Sequence, residues 1–296
     1  MAAPVAMLAA MELKETTYEV SNRIATITLN RPEAMNALTA QMGMELVDSL
    51  RKADSDDDVR VVIVTGAGEK AYCAGADISG GESGFVGEGT AERVRLDDYR
   101  DGGGQITLAL HRMRKPVIAA INGHAVGIGI TMTLAMDIRV VADDAKIGFV
   151  FARRGIVPEA ASSYFLPRIV GIAKAAEFCY TGRVFLAAAE KDSGLFNYVV
   201  AHDEVLAKAQ ELAREIADNT SGVSIALSKA MLWHGLALDD PETAHLIDSK
   251  CVLWTSSNVD AVEGVTSFLE KRKPDFKLSP SQDMPEFYPW WNETKV

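Results

Sequence analysis

The chain has 296 residues, 48% apolar and 24% charged, with 30 basic against 41 acidic side chains and a net charge of −11. That length allows one large domain or two small ones with a sizeable core, and the near-average composition excludes disorder, collagen-like repeats and a disulfide scaffold. The acidic balance argues against nucleic acid and anionic membranes as partners, because phosphates are repelled over most of the surface, but it permits an anion in a local basic pocket.

Residues 1–15 read as a flexible leader: Met1 to Met11 is almost wholly apolar but lacks a basic start, and Met7 and Met11 are alternative initiators. Tyr18–Leu29 reads as a strand hairpin turning at Ser21-Asn22-Arg23, with Ala25, Ile27 and Leu29 on one face. Leu38, Met42, Leu46, Val47 and Leu50 then recur at helical spacing until the acidic run Asp54–Asp58, and Val59–Thr65 is a β-branched strand. From Gly75 to Gly104 the chain is rich in Gly, Asp and Glu, which predicts a mobile lid apart from a helix near Glu92–Tyr99.

Val117–Ile121 is a further strand leading through Asn122-Gly123 into an apolar, buried helix, Val126–Met136. Ile138–Ala142 and Ile147–Phe151 are two more short strands. This alternation predicts an α/β core over residues 16–200 with crossover connections and a largely parallel sheet. Residues 201–275 turn helical, with a stripe of Val205, Leu206, Ala209, Leu212, Ala213 and Ile216, a helix start at Asp240-Pro241-Glu242, and a last helix Val259–Lys271 stopped by Pro274. The tail, residues 276–296, carries Phe287, Tyr288, Trp290 and Trp291 among prolines; these aromatics must dock on this subunit or a neighbour. No apolar run reaches the ~18 residues that cross a bilayer. The three scattered cysteines, Cys73, Cys179 and Cys251, fit a reduced, cytoplasmic protein, and the five histidines show no zinc-site spacing.

Three stretches place small residues where strands end. In Lys70-Ala71-Tyr72-Cys73-Ala74-Gly75-Ala76-Asp77-Ile78, backbone N–H groups can approach a ligand closely; a plain tight turn explains the same residues. The preceding Gly66-Ala67-Gly68-Glu69-Lys70-Ala71 has the form G-x-G-x-x-A, but Ala74-Gly75 interrupts the helix that a dinucleotide site requires. In Asn122-Gly123-His124-Ala125-Val126-Gly127-Ile128-Gly129, a glycine-spaced helix entrance offers N–H groups to an anion, or simply packs a helix tightly on a sheet; His124 reads as structural. In Arg153 to Tyr164, Glu159 follows Pro158 just before a helix starting near Ser162. There it either compensates the helix dipole or is a base aimed into a cleft. Ser162 and Ser163 lack a nucleophile elbow, and Arg153 and Arg154 read as a solvated pair.

In order and spacing these segments resemble the crotonase (enoyl-CoA hydratase/isomerase) superfamily: Arg31-Pro32-Glu33-Ala34-Met35-Asn36-Ala37-Leu38, Ala74-Gly75-Ala76-Asp77-Ile78, and Lys115-Pro116-Val117-Ile118-Ala119-Ala120-Ile121-Asn122-Gly123. The resemblance implies a ββα spiral core with a C-terminal helical trimerisation region, giving a homotrimer or dimer of trimers. It also implies an acyl-CoA thioester as substrate, with no metal or separate cofactor. It assigns the two N–H groups that hold the thioester oxygen to Ala76 and Ile128, where the family usually has glycine at the second. Ala34, Met35, Ala74, Asp77, Ile78, Gly127 and Lys271 are its substrate- and CoA-contact positions. Lys271, Arg272 and Lys273 would meet CoA phosphate or adenine across a subunit boundary, or form a solvated turn.

The departures are specific. Family hydratases carry two glutamates at positions that here hold Thr131 and Phe151. By contrast Val157-Pro158-Glu159-Ala160-Ala161-Ser162-Ser163-Tyr164 resembles Δ3,Δ2-enoyl-CoA isomerases, which use one glutamate in a Pro-Glu-x-x-Ser-Ser-Tyr context. Moving a double bond needs one base, so a 3-enoyl-CoA to 2-enoyl-CoA isomerase with Glu159 as that base is the expected activity. A hydratase in which Glu159 alone activates water and a non-catalytic acyl-CoA-binding protein are the alternatives.

Overall fold

The computed structural model describes residues 12–79 and 95–291. The chain opens with an antiparallel hairpin, β1 (Thr16–Ser21) and β2 (Ile24–Leu29), whose turn residues Asn22 and Arg23 both have positive φ (51° and 67°). That geometry matches the right-handed twist of the flanking strands. Helix α1 (Ala40–Ser55) follows, capped by Thr39, whose hydroxyl accepts the Met42 N–H at 3.0 Å.

From here the chain winds as a spiral in which each strand of one sheet is followed at once by a strand of a second. The pairs are β3 (Val61–Gly66) with β4 (Ala71–Cys73), β5 (Val117–Ile121) with β6 (His124–Val126), and β7 (Ile138–Ala142) with β8 (Lys146–Gly148). With β9 (Val184–Leu186) and β10 (Tyr198–Val200), they form a six-stranded sheet in the order β1-β2-β3-β5-β7-β10 and a four-stranded sheet β4-β6-β8-β9. Outside the β1–β2 hairpin and the β8–β9 pair, every ladder is parallel. All residues of β3 and β5 are buried, as parallel strands covered on both faces require.

Asn122 ties successive turns of the spiral: its amide donates to the Gly66 and Gly68 carbonyls at 2.9 Å, and its oxygen accepts the Gly66 N–H. The Asn-Gly after β5 is thus a clamp between turns. Because β3 runs directly into β4, no helix follows Gly66–Ala71, and the G-x-G-x-x-A string builds no dinucleotide site.

Two expected elements differ. The apolar run Val126–Met136 is not one helix: it is the end of β6, a single turn α3 (Ile128–Thr131) and a 3-10 turn over Met132–Ala135. Gly127 at φ 57° breaks the chain between strand and turn, and a run without a charged residue carries no periodicity to show where. The expected strand Ile147–Phe151 is cut at Gly148 and continues as a 3-10 turn, Val150–Arg154. The lid segment also shrinks. Gly102–Gly104 is the first turn of α2 (Gly102–Arg112), capped by Asp101, and Leu96–Asp98 is a 3-10 turn. Residues 80–94 of the lid, with the start of the Glu92–Tyr99 helix, lie outside the described residues, as do residues 1–11 of the leader.

Beyond α4 (Ser162–Thr181), α5 (Val205–Asn219) lays Val205, Ala209, Ala213 and Ala217 on β3, β5 and β7, while Leu206 stays 39% exposed. Helices α6 (Gly222–Gly235), α7 (Pro241–Ser256) and α8 (Val259–Glu270) surround a second, smaller cluster. There Val223, Leu227 and Cys251 meet Trp254, Leu278, Phe287, Tyr288 and Trp290. The tail aromatics therefore dock on their own subunit, and Trp291 stacks on His234 with ring centroids 3.6 Å apart. Among the described residues no helix is long and apolar enough to cross a membrane.

Candidate active site

The site begins where β4 and β6 end. These strands pair in parallel with Cys73 opposite Ala125, so Ala76 and Ile128 each lie three residues past the last paired position. Both follow a glycine with positive φ, Gly75 (115°) and Gly127 (57°), and the two glycines touch: a Cβ on Gly127 would lie 3.9 Å from the Gly75 Cα. A side chain at either glycine would strain the turn that redirects the next N–H.

A bridge from the first loop turns the Ala76 N–H outward. The Leu38 N–H donates to the Gly75 carbonyl at 2.8 Å, the Asp77 N–H to the Leu38 carbonyl at 2.9 Å, and the Ala74 N–H to the Met35 carbonyl at 3.1 Å. Leu38 thus pairs with the residues on either side of Ala76, whose own N–H points the other way, as parallel bridging dictates. The Ile128 N–H is the first of α3 and has no intrahelical acceptor. Among the described residues neither N–H donates a hydrogen bond.

The segment carrying Ala34 and Met35 is braced from below. Asn36 is fully buried; its amide donates to the Ala67 and Ala71 carbonyls at 2.9 and 2.8 Å, and its oxygen accepts the Arg31 N–H. Hydrogen bonds from the Ser79 side chain, from the Ser79 N–H at 2.9 Å and from the Arg31 guanidinium at 2.8 Å hold the Asp77 carboxyl down at about 2. Ile78, next to it, is 58% exposed.

Glu159 faces this rim from the loop before α4. Burial pushes its carboxyl up to about 7, with the Asp101 carboxylate adding to the rise and a hydrogen bond from Thr131 opposing it. The Thr131 hydroxyl donates to Glu159 Oε1 at 2.5 Å. The other oxygen, Oε2, lies against Gly103, where a Cβ would come within 1.8 Å of it and 2.5 Å of the Ile128 Cδ1. Behind the carboxylate, Ala160 and Ala161 are both left-handed (φ 58° and 50°), a conformation that costs an alanine free energy and is typical of functional sites. Surrounding bonds hold it: Ser162 donates N–H and Oγ–H to the Glu159 carbonyl at 3.0 and 2.6 Å, and the Ala160 N–H donates to Asp101 Oδ1 at 3.2 Å.

The structure therefore brings the Ala74–Asp77 turn beside Gly127 and Ile128, and Glu159 beside Ile128 across Gly103, with Met35 bonded to Ala74 and Ala34 next to Met35 in the chain. Lys271 is apart from these. It is the exposed left-handed cap of α8, an element packed on α7, and its neighbour Arg272 is paired with Glu263 and Glu270. Phe151 is buried. His124 is a structural acceptor for the Lys146 N–H at 3.1 Å, and Arg153 donates to the Thr181 carbonyl. Cys73 sits beneath the rim, but burial pushes its thiol up to about 12, so it offers no thiolate. Sequence reasoning missed Asp101, Gly103 and the Thr131–Glu159 bond. The signal for the first two was present as a cap residue before Gly102-Gly103-Gly104, which reads equally as loop. Among the described residues no three His, Cys, Asp or Glu side chains group as a metal would need.

A spiral in which strands of two sheets alternate defines a crotonase-superfamily fold. Residues 19–279 match the family model for enoyl-CoA hydratase/isomerase, and the chain belongs to that family. It is 44% identical over 255 residues to the enoyl-CoA hydratase ACTT3 of Alternaria alternata, covering 86% of this chain and 83% of that one. It is 34% identical over 265 residues to the short-chain-enoyl-CoA hydratase of Clostridium acetobutylicum, covering 89% and 97%. The crystal structure of an enoyl-CoA hydratase from Bacillus anthracis superposes with a TM-score of 0.79 at 32% identity, covering 89% of this chain and 99% of that one.

Proposed function

We propose that this enzyme shifts the double bond of a 3-enoyl-CoA to give a 2-enoyl-CoA, with Glu159 as the single base. The Glu159 carboxylate takes a proton from C2, the carbanion electrons spread through the alkene to the thioester oxygen, and the N–H groups of Ala76 and Ile128 receive the charge there. The same carboxyl then returns the proton to C4, leaving the double bond between C2 and C3. A base near pH 7 is matched to both halves of that exchange. Each N–H is worth about 3 kcal/mol by comparison with side-chain donors at such holes.

The observation that carries the reading is chemical. Glu159 is a desolvated base, while Thr131 and Phe151 occupy the positions at which family hydratases resemble one another in carrying glutamate. Ala34, Met35, Ala74, Asp77, Ile78 and Gly127 would contact the CoA thioester. Lys271 would do so only from a neighbouring subunit, in a homotrimer or dimer of trimers. The exposed Leu246, Val252, Leu253, Val262, Phe268 and Leu269 on α7 and α8 supply an apolar face for such assembly. The three free thiols support a reducing, cytoplasmic setting.

The relatives' names favour a second reading, hydration of 2-enoyl-CoA with Glu159 alone activating water. Purified enzyme assayed on both substrates separates the two: isomerisation of 3-enoyl-CoA should exceed hydration, and Glu159→Gln should lower it about 10²- to 10⁴-fold. Faster hydration would establish the second reading; tight thioester binding without turnover would establish a binding protein.

A further inference from the structure

Thr131 has one hydroxyl hydrogen and two acceptors in reach. Its Oγ1 lies 2.5 Å from Glu159 Oε1 and 3.2 Å from the carbonyl oxygen of Gly127. The Gly127 carbonyl and the Ile128 N–H belong to the same peptide group, so whatever binds that oxygen polarises the N–H at its other end. The carbonyl already accepts the Ile130 and Thr131 N–H groups at 3.1 and 3.0 Å, which are fixed by the turn. Among the described residues, the Thr131 hydroxyl is the donor there able to come and go. It is fully buried, so no bulk water competes for its hydrogen.

We infer that Thr131 is a positioning residue that couples the charge on Glu159 to the strength of the Ile128 N–H, an inference that rests on the enolate reading above. While Glu159 is a carboxylate, the charge-assisted bond wins the hydroxyl hydrogen and the base is held in place. Once Glu159 has taken the C2 proton it is a neutral acid, a weaker acceptor than a peptide carbonyl, and the hydrogen turns to Gly127. The Ile128 N–H is then polarised when negative charge has just reached the thioester oxygen. Returning the proton to C4 restores the carboxylate and draws the hydroxyl back. The cycle needs rotation about one C–O bond and no proton beyond the one the substrate exchanges. The residue that stands in place of a hydratase glutamate thereby links the base to the oxyanion donor.

The test uses Thr131→Val, which keeps the shape, Thr131→Ser, which keeps the hydroxyl, and Thr131→Ala should the buried valine disturb folding. With a saturated, unreactive acyl-CoA bound, isotope-edited infrared spectra report the thioester carbonyl stretch between pH 5 and 9. In the wild type the stretch should fall as Glu159 is protonated. The amplitude of that shift should shrink in the valine and alanine variants and return in the serine variant. Kinetically, the valine variant should lose about 10- to 100-fold in kcat with KM within about twofold, the loss expected for a hydrogen bond to a charged group. The acid limb of its kcat/KM profile should move to higher pH, because the bond that stabilises the carboxylate is gone. A carbonyl shift of wild-type amplitude in Thr131→Val overturns the coupling. Isomerisation that survives Glu159→Gln overturns instead the assignment of the base, and the carbonyl titration still reads out the coupling separately.

Discussion

At the scale of single residues, the site is a set of exclusions as much as of contacts. Glu159 is close to Gly103 because nothing at that helix position has a Cβ, and the 1.8 Å clearance a Cβ would have from Oε2 is far inside any tolerable contact. Gly103→Ala therefore displaces the carboxylate while raising the helix propensity of α2 by about 1 kcal/mol. The expected result is an enzyme of near-normal Tm with kcat lowered about 10²-fold, the effect of misplacing a reacting group by roughly an ångström. Thermal unfolding and initial rates on one preparation check it, and a kcat within twofold of wild type would show that Glu159 does not work from the position seen here.

At the scale of elements, α2 and the loop before α4 are locked through Asp101. Its Oδ1 accepts the Gly104 N–H at 2.6 Å as an N-cap and the Ala160 N–H at 3.2 Å, and its charge helps raise the Glu159 carboxyl. Asp101→Asn keeps an oxygen cap and removes the charge. The acid limb of the kcat/KM profile should then move to lower pH by a fraction of a unit, opposite in sign to Thr131→Val; an upward move would mean that the Asp101 charge does not act on Glu159. Elements with a clear period or a turn signature were legible in the sequence: the hairpin at Ser21-Asn22-Arg23, the strand read over Val59–Thr65 and found at Val61–Gly66, the strand Val117–Ile121, and the last helix from Val259. Ala76 and Ile128 came from the resemblance, not from any local pattern; the structure adds that each follows a glycine with positive φ, Gly75 and Gly127. The site was illegible where side chains from separate elements meet. Neither Thr131 nor Gly103 is near Glu159 in the chain, and a glycine triplet reads as loop until the helix it starts is seen.

At the scale of the whole molecule, two desolvated groups load the fold in opposite directions with pH. Burial raises Glu159 from 4.5 to about 7, so the folded chain binds the extra proton across that window and stability declines as pH rises through it. Burial pushes His111 down from 6.5 to about 4, helped by the neighbouring His234 and Lys229, where its ring packs against Phe165 and Trp233. There the unfolded chain binds the extra proton, and stability rises with pH from about 4 to 6.5. Each shift corresponds to about 3 kcal/mol, and the windows overlap, so these two contributions oppose one another between about pH 4.5 and 6.5. Removing either group should unmask the other. Glu159→Gln should gain stability with rising pH across that interval and exceed the wild type above pH 7, where the buried carboxylate no longer opposes folding. His111→Leu should gain less stability with rising pH than the wild type does over the same interval. Urea unfolding of the three proteins at half-unit steps from pH 4.5 to 8 measures this directly; parallel curves for wild type and Glu159→Gln would mean that the Glu159 carboxyl titrates in the folded enzyme as it does in water.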